Sequence, residues 1–324
     1  PGAPHPDPMF VSLEQASSAD PALVAAVASA RRVMIGVATE PPDARAEPLL
    51  AALTCTLVPP GLRRVPPTCV AVADLEGSIE RLVAAIGRAP RAALTLVDLL
   101  RATDGTAVGA ALAAESFAYS MLLASPEFGR WRARRPVRPV PPQTADAVVV
   151  ERDGGVLRIM LNRPARRNAF DRHLRDGLCE ALDLVSLDLS IASVELTGAG
   201  PAFCSGGDLD EFGSTKDVAA AHLIRLARSV PRRLAACGDR VRVVVHGACV
   251  GAGVELPSFA ARVEAHEDTL FQLPEISMGL LPAAGGTVGL PRRIGRWRTA
   301  YLALSGERIG VDIALDWGLV DAVA

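Results

Sequence analysis

The sequence predicts an α/β protein in which repeated β-β-α units follow a smaller N-terminal α/β or mostly helical domain. Three observations predict it. The second half alternates short apolar strand-like runs with helical stretches, two of those strands run directly into glycine-rich loops, and a proline- and arginine-rich stretch separates this half from what precedes it.

A chain of 324 residues, 50% hydrophobic, can bury a large core, and its length suggests about two domains. Residues 1–135 show helical patterns over Pro21–Ala30, Leu75–Ile86 and Ala107–Arg132, with strand-like runs "RRVMIGV", "LTCTLV" and "CVAVA". Nothing in this region forms a recognisable catalytic group. In "ESFAYSMLLASPEFGRW", Phe117, Met121 and Phe128 recur at helical spacing, which reads as a core face rather than an aromatic ligand face. Residues 136–146, within "RWRARRPVRPVPPQTAD", read as an extended linker, and the chain divides there.

From residue 147 the rhythm is clearer. "AVVVERDGGVLRIMLN" is a hairpin turning at Asp153-Gly154-Gly155. A helix follows from Asp171 to Leu184, then the strand "SVELTG", a glycine-rich loop, a long helix over Val218–Ala235 and the strand "VRVVVHG". Next come a helix starting near Ala252, the strand-like "ARVEA" and a loop carrying "LPEISMGLLPAAGG".

Charge and composition exclude several classes of function. A formal charge of −2 gives no footprint for nucleic acid. Six cysteines form no CxxC pair and five histidines complete no ligand spacing, so neither a disulfide framework nor a metal site is expected. No stretch reaches the ~18–20 apolar residues of a membrane span, and the first residues lack a signal-peptide pattern. Cytoplasmic residence is the default expectation.

Two loops carry the chemistry. "GPAFCSGGDLDEF" follows "SVELTG" and "GACVGAGVE" follows "VRVVVHG"; small residues free the amides of both, so two backbone donors can converge on one oxygen. Glu255 ends the second loop and Glu275 lies in "QLPEISMG". Pro274 biases Leu273 towards extended geometry, which places Glu275 on a loop rather than in a helix. Taken alone, Glu255 reads as an ordinary acid near a helix start; taken with Glu275 and both loops, it reads as catalytic. "FCSGG" lacks the first glycine of GxSxG, and "GACVGAG" fails GxGxxG.

With "LNRPARRNAF", "GPAFCSGGDL", "HGACVGAGVEL", "LFQLPEISMGLLPAAGGTVGLPRRIG" and "GLVDAV", the chain resembles the crotonase family, the enoyl-CoA hydratases and isomerases, over about residues 147–323. The resemblance implies a crotonase-like spiral of β-β-α units. It implies that the amides of Gly207 and Ala252 form an oxyanion hole for an acyl-thioester carbonyl, with Ala252 standing where glycine is usual. Glu255 would hold and deprotonate water and Glu275 would deliver a proton to Cα, giving reversible hydration of a 2-enoyl-CoA. Arg163, Arg166 and Arg167 lie where the family runs past CoA; Ala202, Phe203, Ser205, Gly206, Asp208 and Leu209 complete the implied substrate and CoA set. Asp208 also reads as a loop anchor, and Asp210 replaces a common lysine.

The implied partner is an acyl-CoA thioester. Coenzyme A is part of that substrate and no other cofactor, metal, nucleic acid or membrane is implied. The family's homotrimer or hexamer is expected less here, because the helices that usually follow "GLVDAV" are missing from this sequence. Those helices cover the acyl pocket in the family, and the N-terminal domain is the expected substitute. "LPSFAARV" after Glu255 is a second departure: Pro257 should delay or bend the helix there. Isomerisation, another acyl-CoA transformation including a dioxygenase-like one, and acyl-CoA binding without turnover are the alternatives.

Overall fold

The computed structural model describes residues 7–14, 20–61, 65–136, 145–215 and 217–324. Residues 137–144, most of the expected linker, lie outside the described residues.

Four short strands, β1 (Met9–Ser12), β2 (Met34–Val37), β3 (Cys55–Val58) and β4 (Cys69–Ala71), form a parallel sheet in that order. Parallel neighbours need crossovers, and α1 (Pro21–Ser29) and α2 (Glu47–Ala52) supply the first two. β3, an inner strand, is buried throughout, Thr56 included, which is why it shows no alternation of apolar and polar residues. β1 was not anticipated: its four residues, "MFVS", are too few and too exposed to show a period.

Helices α3 (Leu75–Arg88), α4 (Pro90–Ala102), α5 (Val108–Leu123) and α6 (Pro126–Ala133) follow. The single helix expected over 107–132 is therefore two, bent by 61°. Pro126 has no N–H to continue α5, and Ser125 starts a new helix by accepting from the Phe128 N–H at 3.3 Å. Among the described residues no single helix is long and apolar enough to cross a membrane.

The C-terminal half begins with the hairpin of β5 (Val148–Asp153) and β6 (Val156–Leu161), turning at Gly154 with φ +57°. Then come α7 (Arg172–Leu187), β7 (Ser193–Gly198), α8 (Val218–Ala227) and α9 (Val230–Cys237). The expected helix over 218–235 also breaks, at Ser229, which caps α9 ahead of Pro231. β8 (Val241–Val245), β9 (Ala248–Val250), the short α10 (Ala252–Glu255), β10 (Arg262–Ala265) and β11 (Leu270–Gln272) lead to α11 (Gly286–Ile294), α12 (Arg296–Ser305), α13 (Val311–Trp317) and β12 (Ala322–Val323). The helix is neither delayed nor simply bent at Pro257: α10 starts at Ala252, and Leu256–Phe259, containing Pro257, tightens into a 3-10 turn that ends it.

A six-stranded sheet runs β12-β10-β8-β7-β6-β5, parallel except for the hairpin pair, and β11 and β9 form a second, parallel sheet. Bridges Ala202–Gly247 and Cys204–Cys249 attach the loop after β7 to that small sheet. Each turn of chain thus sends one strand to the large sheet and the next to the small one. The period-2 pattern explains the burial: Val241, Val243 and Val245 enter the core while Arg242 points outward to Glu195 and Glu264. One buried apolar cluster extends from Val33 to Val320, and α12 packs against β3, β4 and α3.

Candidate active site

The loop after β7 is fixed before it meets any ligand. Asn168, fully buried with φ +53°, donates from Nδ2 to the carbonyls of Ala199 and Ala202, both at 2.9 Å, while its Oδ1 accepts from the Arg163 N–H. Further along, the Phe170 N–H donates to Gly206 O (2.7 Å) and the Asp208 N–H to Phe170 O (2.9 Å). The Val250 N–H donates to Cys204 O at 3.0 Å, tying this loop to the one after β8. These bonds flank Gly207 without using its amide: among the described residues, neither the Gly207 nor the Ala252 N–H has a protein acceptor. Both residues line one cavity. Buried amides are nearly always paired; Ala252 is buried and Gly207 half-buried, so their N–H groups are donors without a protein partner on residues that line the cavity.

Backbone geometry explains why small residues are needed. Gly251 takes φ +49° and ψ −116° to start α10, a conformation that L side chains rarely adopt. A Cβ on Gly207 would stand 2.5 Å from the Phe212 ring, which forms a wall of the same cavity.

Glu255 and Glu275 line this cavity and are buried, 2% and 9% exposed. Oε2 of Glu255 accepts from the N–H groups of Ala284 (2.7 Å) and Gly286 (2.9 Å). Burial, the Glu275 carboxyl and the Glu115 carboxyl push Glu255 well above the usual carboxylate range, and the two N–H donors pull it back. Burial raises Glu275 to about 7, and its Oε2 has no hydrogen-bond partner. Two neighbouring buried carboxyls of this kind do not both ionise readily, so the pair retains a proton near neutrality. Glu275 does not stand on an irregular loop as expected: it opens the 3-10 turn Glu275–Met278, because Pro274 sits near the bridge region (φ −92°, ψ 2°) and tightens the chain at once.

The cavity is about 180 Å³ where one water needs roughly 10–15 Å³, so a water and a short acyl group fit together. Part of its wall comes from before residue 151: Leu112, Glu115, Ser116 and Tyr119 of α5 line it together with Phe170, Arg225 and Leu281. The spacing i, i+3, i+4, i+7 puts them on one helix face. The sequence signal was present, two polar residues between Leu112 and Tyr119 in an apolar helix, but the reading chose the wrong face. Phe117 and Met121, expected in the core, are 62% and 57% exposed; only Phe128 is buried.

Of the site residues expected from sequence, the structure gathers Gly207, Ala252, Glu255 and Glu275 at the cavity and leaves nine away from its lining. Arg163 needs correction: it is 8% exposed, paired with Asp171 at 2.9 Å and Asp208 at 3.7 Å, and donates to Ala169 O, so its guanidinium is spent inside the protein. Arg166 grips Asp208 (2.8 Å) and Asp210 (3.0 Å). Asp208, 2% exposed, also accepts from the Asp210 N–H, so its carboxylate holds its own loop together. Ala202 and Phe203 are core residues, and Gly206 is buried beside Val250. Ser205 donates its N–H to Arg167 O; Ser205 and Leu209 are half-buried, and Arg167 is exposed. Among the described residues no cluster of three potential metal ligands occurs.

A family model described as enoyl-CoA hydratase/isomerase matches residues 151–324. The chain is 38% identical over 176 residues to the 2,3-dehydroadipyl-CoA hydratase of Escherichia coli K12, covering 54% of this chain and 68% of that protein. It is 36% identical to the 1,2-epoxyphenylacetyl-CoA isomerase of the same organism, covering 51% of this chain and 65% of the relative, so the matches span about half of this chain and about two thirds of each relative. A solved enoyl-CoA hydratase/isomerase from Mycobacterium paratuberculosis superposes with TM-score 0.52 at 32% identity, over 56% of this chain and 73% of that one.

Proposed function

The chain belongs to the enoyl-CoA hydratase/isomerase family, and on that footing we propose that it catalyses the reversible hydration of a 2-enoyl-CoA thioester. The observation that carries this reading is the pair of unpaired amides, Gly207 and Ala252, lining one cavity with two buried carboxyls. Adding water to a double bond conjugated with a thioester pushes negative charge onto the carbonyl oxygen. Donors already aimed there stabilise that charge without reorganising, by about 2.7–4 kcal/mol each in comparable sites.

The two acids divide the proton work. Burial and the neighbouring Glu275 and Glu115 carboxyls raise Glu255, but the pair shares one charge, and the two N–H groups fixed on Glu255 Oε2, which Glu275 Oε2 lacks, favour the anion on Glu255; it takes a proton from water as the water oxygen bonds to Cβ. Glu275, with no donor on Oε2, holds the proton and delivers it to Cα. The acyl group lies between Phe170, Phe212 and Leu281, whose apolar walls exclude bulk water. No group beyond the substrate's own coenzyme A is called for.

The test is direct. Mixed with a short 2-enoyl-CoA, the protein should lower the absorbance of the conjugated thioester to an equilibrium level and yield 3-hydroxyacyl-CoA that carries solvent oxygen. Conversion of a 3-enoyl-CoA into its 2-enoyl isomer without incorporation of solvent oxygen would replace hydration by isomerisation. Binding without conversion of any acyl-CoA would leave a binding protein.

A further inference from the structure

The turn that holds Glu255 is gripped from two sides. Four successive N–H groups alternate: Ala284 and Gly286 donate to Oε2 of Glu255, at 2.7 and 2.9 Å. Between them, Gly285 donates to Oε1 of Glu115 at 2.9 Å, and the N–H and Oγ1 of Thr287 donate to its Oε2 at 3.0 and 2.7 Å. Glu115 comes from α5, outside the stretch that matches the family. It is 3% exposed and makes these contacts across 170 residues of sequence.

We propose that Glu115 is a positioning residue of the active site, fixing the 284–287 turn in the arrangement that lets it hold the Glu255 carboxyl. Alternate amides of one short turn point in opposite directions, so neither carboxyl can satisfy all four by itself. Without Glu115, the N–H groups of Gly285 and Thr287 and the Thr287 hydroxyl lose a buried acceptor, and the turn gains by rotating them towards water. Any such rotation withdraws Ala284 and Gly286 from Glu255. Space is already tight: a Cβ on Gly286 would stand 2.6 Å from Glu255 Oε2.

A second contact points the same way. The turn that begins at Glu275 closes at Gly279, where a Cβ would stand 2.7 Å from the backbone of Glu127 in α6. Segments before residue 151 therefore back the supports of both acids, and the part of the chain outside the family match completes the site that the match contains.

This proposal rests on the hydratase reading only for its kinetic test. Glu115→Ala should lower kcat about 100-fold, the usual consequence of misplacing a reacting group by about 1 Å, with KM little changed. Glu115→Gln, which keeps the side chain's shape and one acceptor oxygen, should recover part of the loss. Leu49→Ala, which removes a fully buried side chain of α2 in an apolar cluster separate from the one that reaches the cavity, should destabilise the fold while leaving kcat near wild type. Wild-type kcat in Glu115→Ala, or an equal loss in Leu49→Ala, would overturn the assignment. A readout independent of turnover separates this idea from the proposed reaction. Hydrogen exchange at Ala284 and Gly286, amides that Glu115 does not touch, should quicken in Glu115→Ala and not in Leu49→Ala. Unchanged exchange there would overturn the positioning role even if hydration is confirmed; quickened exchange in a protein inactive on enoyl-CoA would retain it and refute the reaction.

Discussion

The carboxyl of Glu275 stands against the backbone of Gly251: a Cβ added to Gly251 would lie 2.5 Å from its Oε1. Gly251 also begins the short helix that ends at Glu255. One glycine thus starts the helix that carries the Ala252 amide and Glu255 and leaves room for the Glu275 carboxyl beside it. Replacing either carboxyl with its amide should lower kcat by about 10²–10⁴ while acyl-CoA affinity stays nearly unchanged, because proton transfer is lost and shape is kept. Steady-state kinetics on Glu255→Gln and Glu275→Gln would check this; wild-type turnover in either removes that residue's role.

Gly207 should tolerate no side chain while Phe212 holds its place. Gly207→Ala forces the ring or the amide to move, and the expected loss is about 10²–10³ in kcat, the usual effect of losing one oxyanion donor. The pair Gly207→Ala with Phe212→Ala should recover part of it, since the carbon then has room. A double variant no better than the single one would show that the methyl acts by some other route than the ring.

Arg163 was expected beside coenzyme A and is instead enclosed with Asp171 and Asp208. Arg163→Ala should cost about 3–5 kcal/mol of stability by stranding buried carboxylates, with coenzyme A affinity in the surviving folded protein unaltered. Denaturant unfolding alongside titration with coenzyme A would decide it. Weakened binding at unchanged stability would return Arg163 to a phosphate role.

Stability should fall as pH rises from about 4.5 to above 7. Glu115 and Glu275 are each raised to about 7 by burial, so the folded state binds protons that the unfolded chain has released. This contribution is complete below the unfolded value near 4.5 and is lost as pH passes the folded value near 7; it is on the order of 3 kcal/mol per group at most. Thermal unfolding across that range should slope downward in the wild type and less steeply in Glu275→Gln. Parallel slopes would mean that Glu275 ionises in the folded protein as it does in the unfolded chain.

Local patterns fixed a good deal. The hairpin at Gly154, the strands β6, β7 and β8, the two glycine-rich loops and the placement of Glu255 and Glu275 were legible because short-range periodicity and turn chemistry are written in consecutive residues. The breaks at Ser125 and Ser229 were missed, although the serines ahead of Pro126 and Pro231 mark them, because the apolar period running across them concealed the stops. Tertiary structure alone decided which arginines are spent in ion pairs, which face of α5 turns towards the cavity, and that Glu115 meets Gly285 and Thr287. The reason is physical: a helix face carries no record of the surface it will meet. A buried carboxyl is tolerated only where distant amides arrive to satisfy it, and that meeting exists once the two halves of the chain have packed.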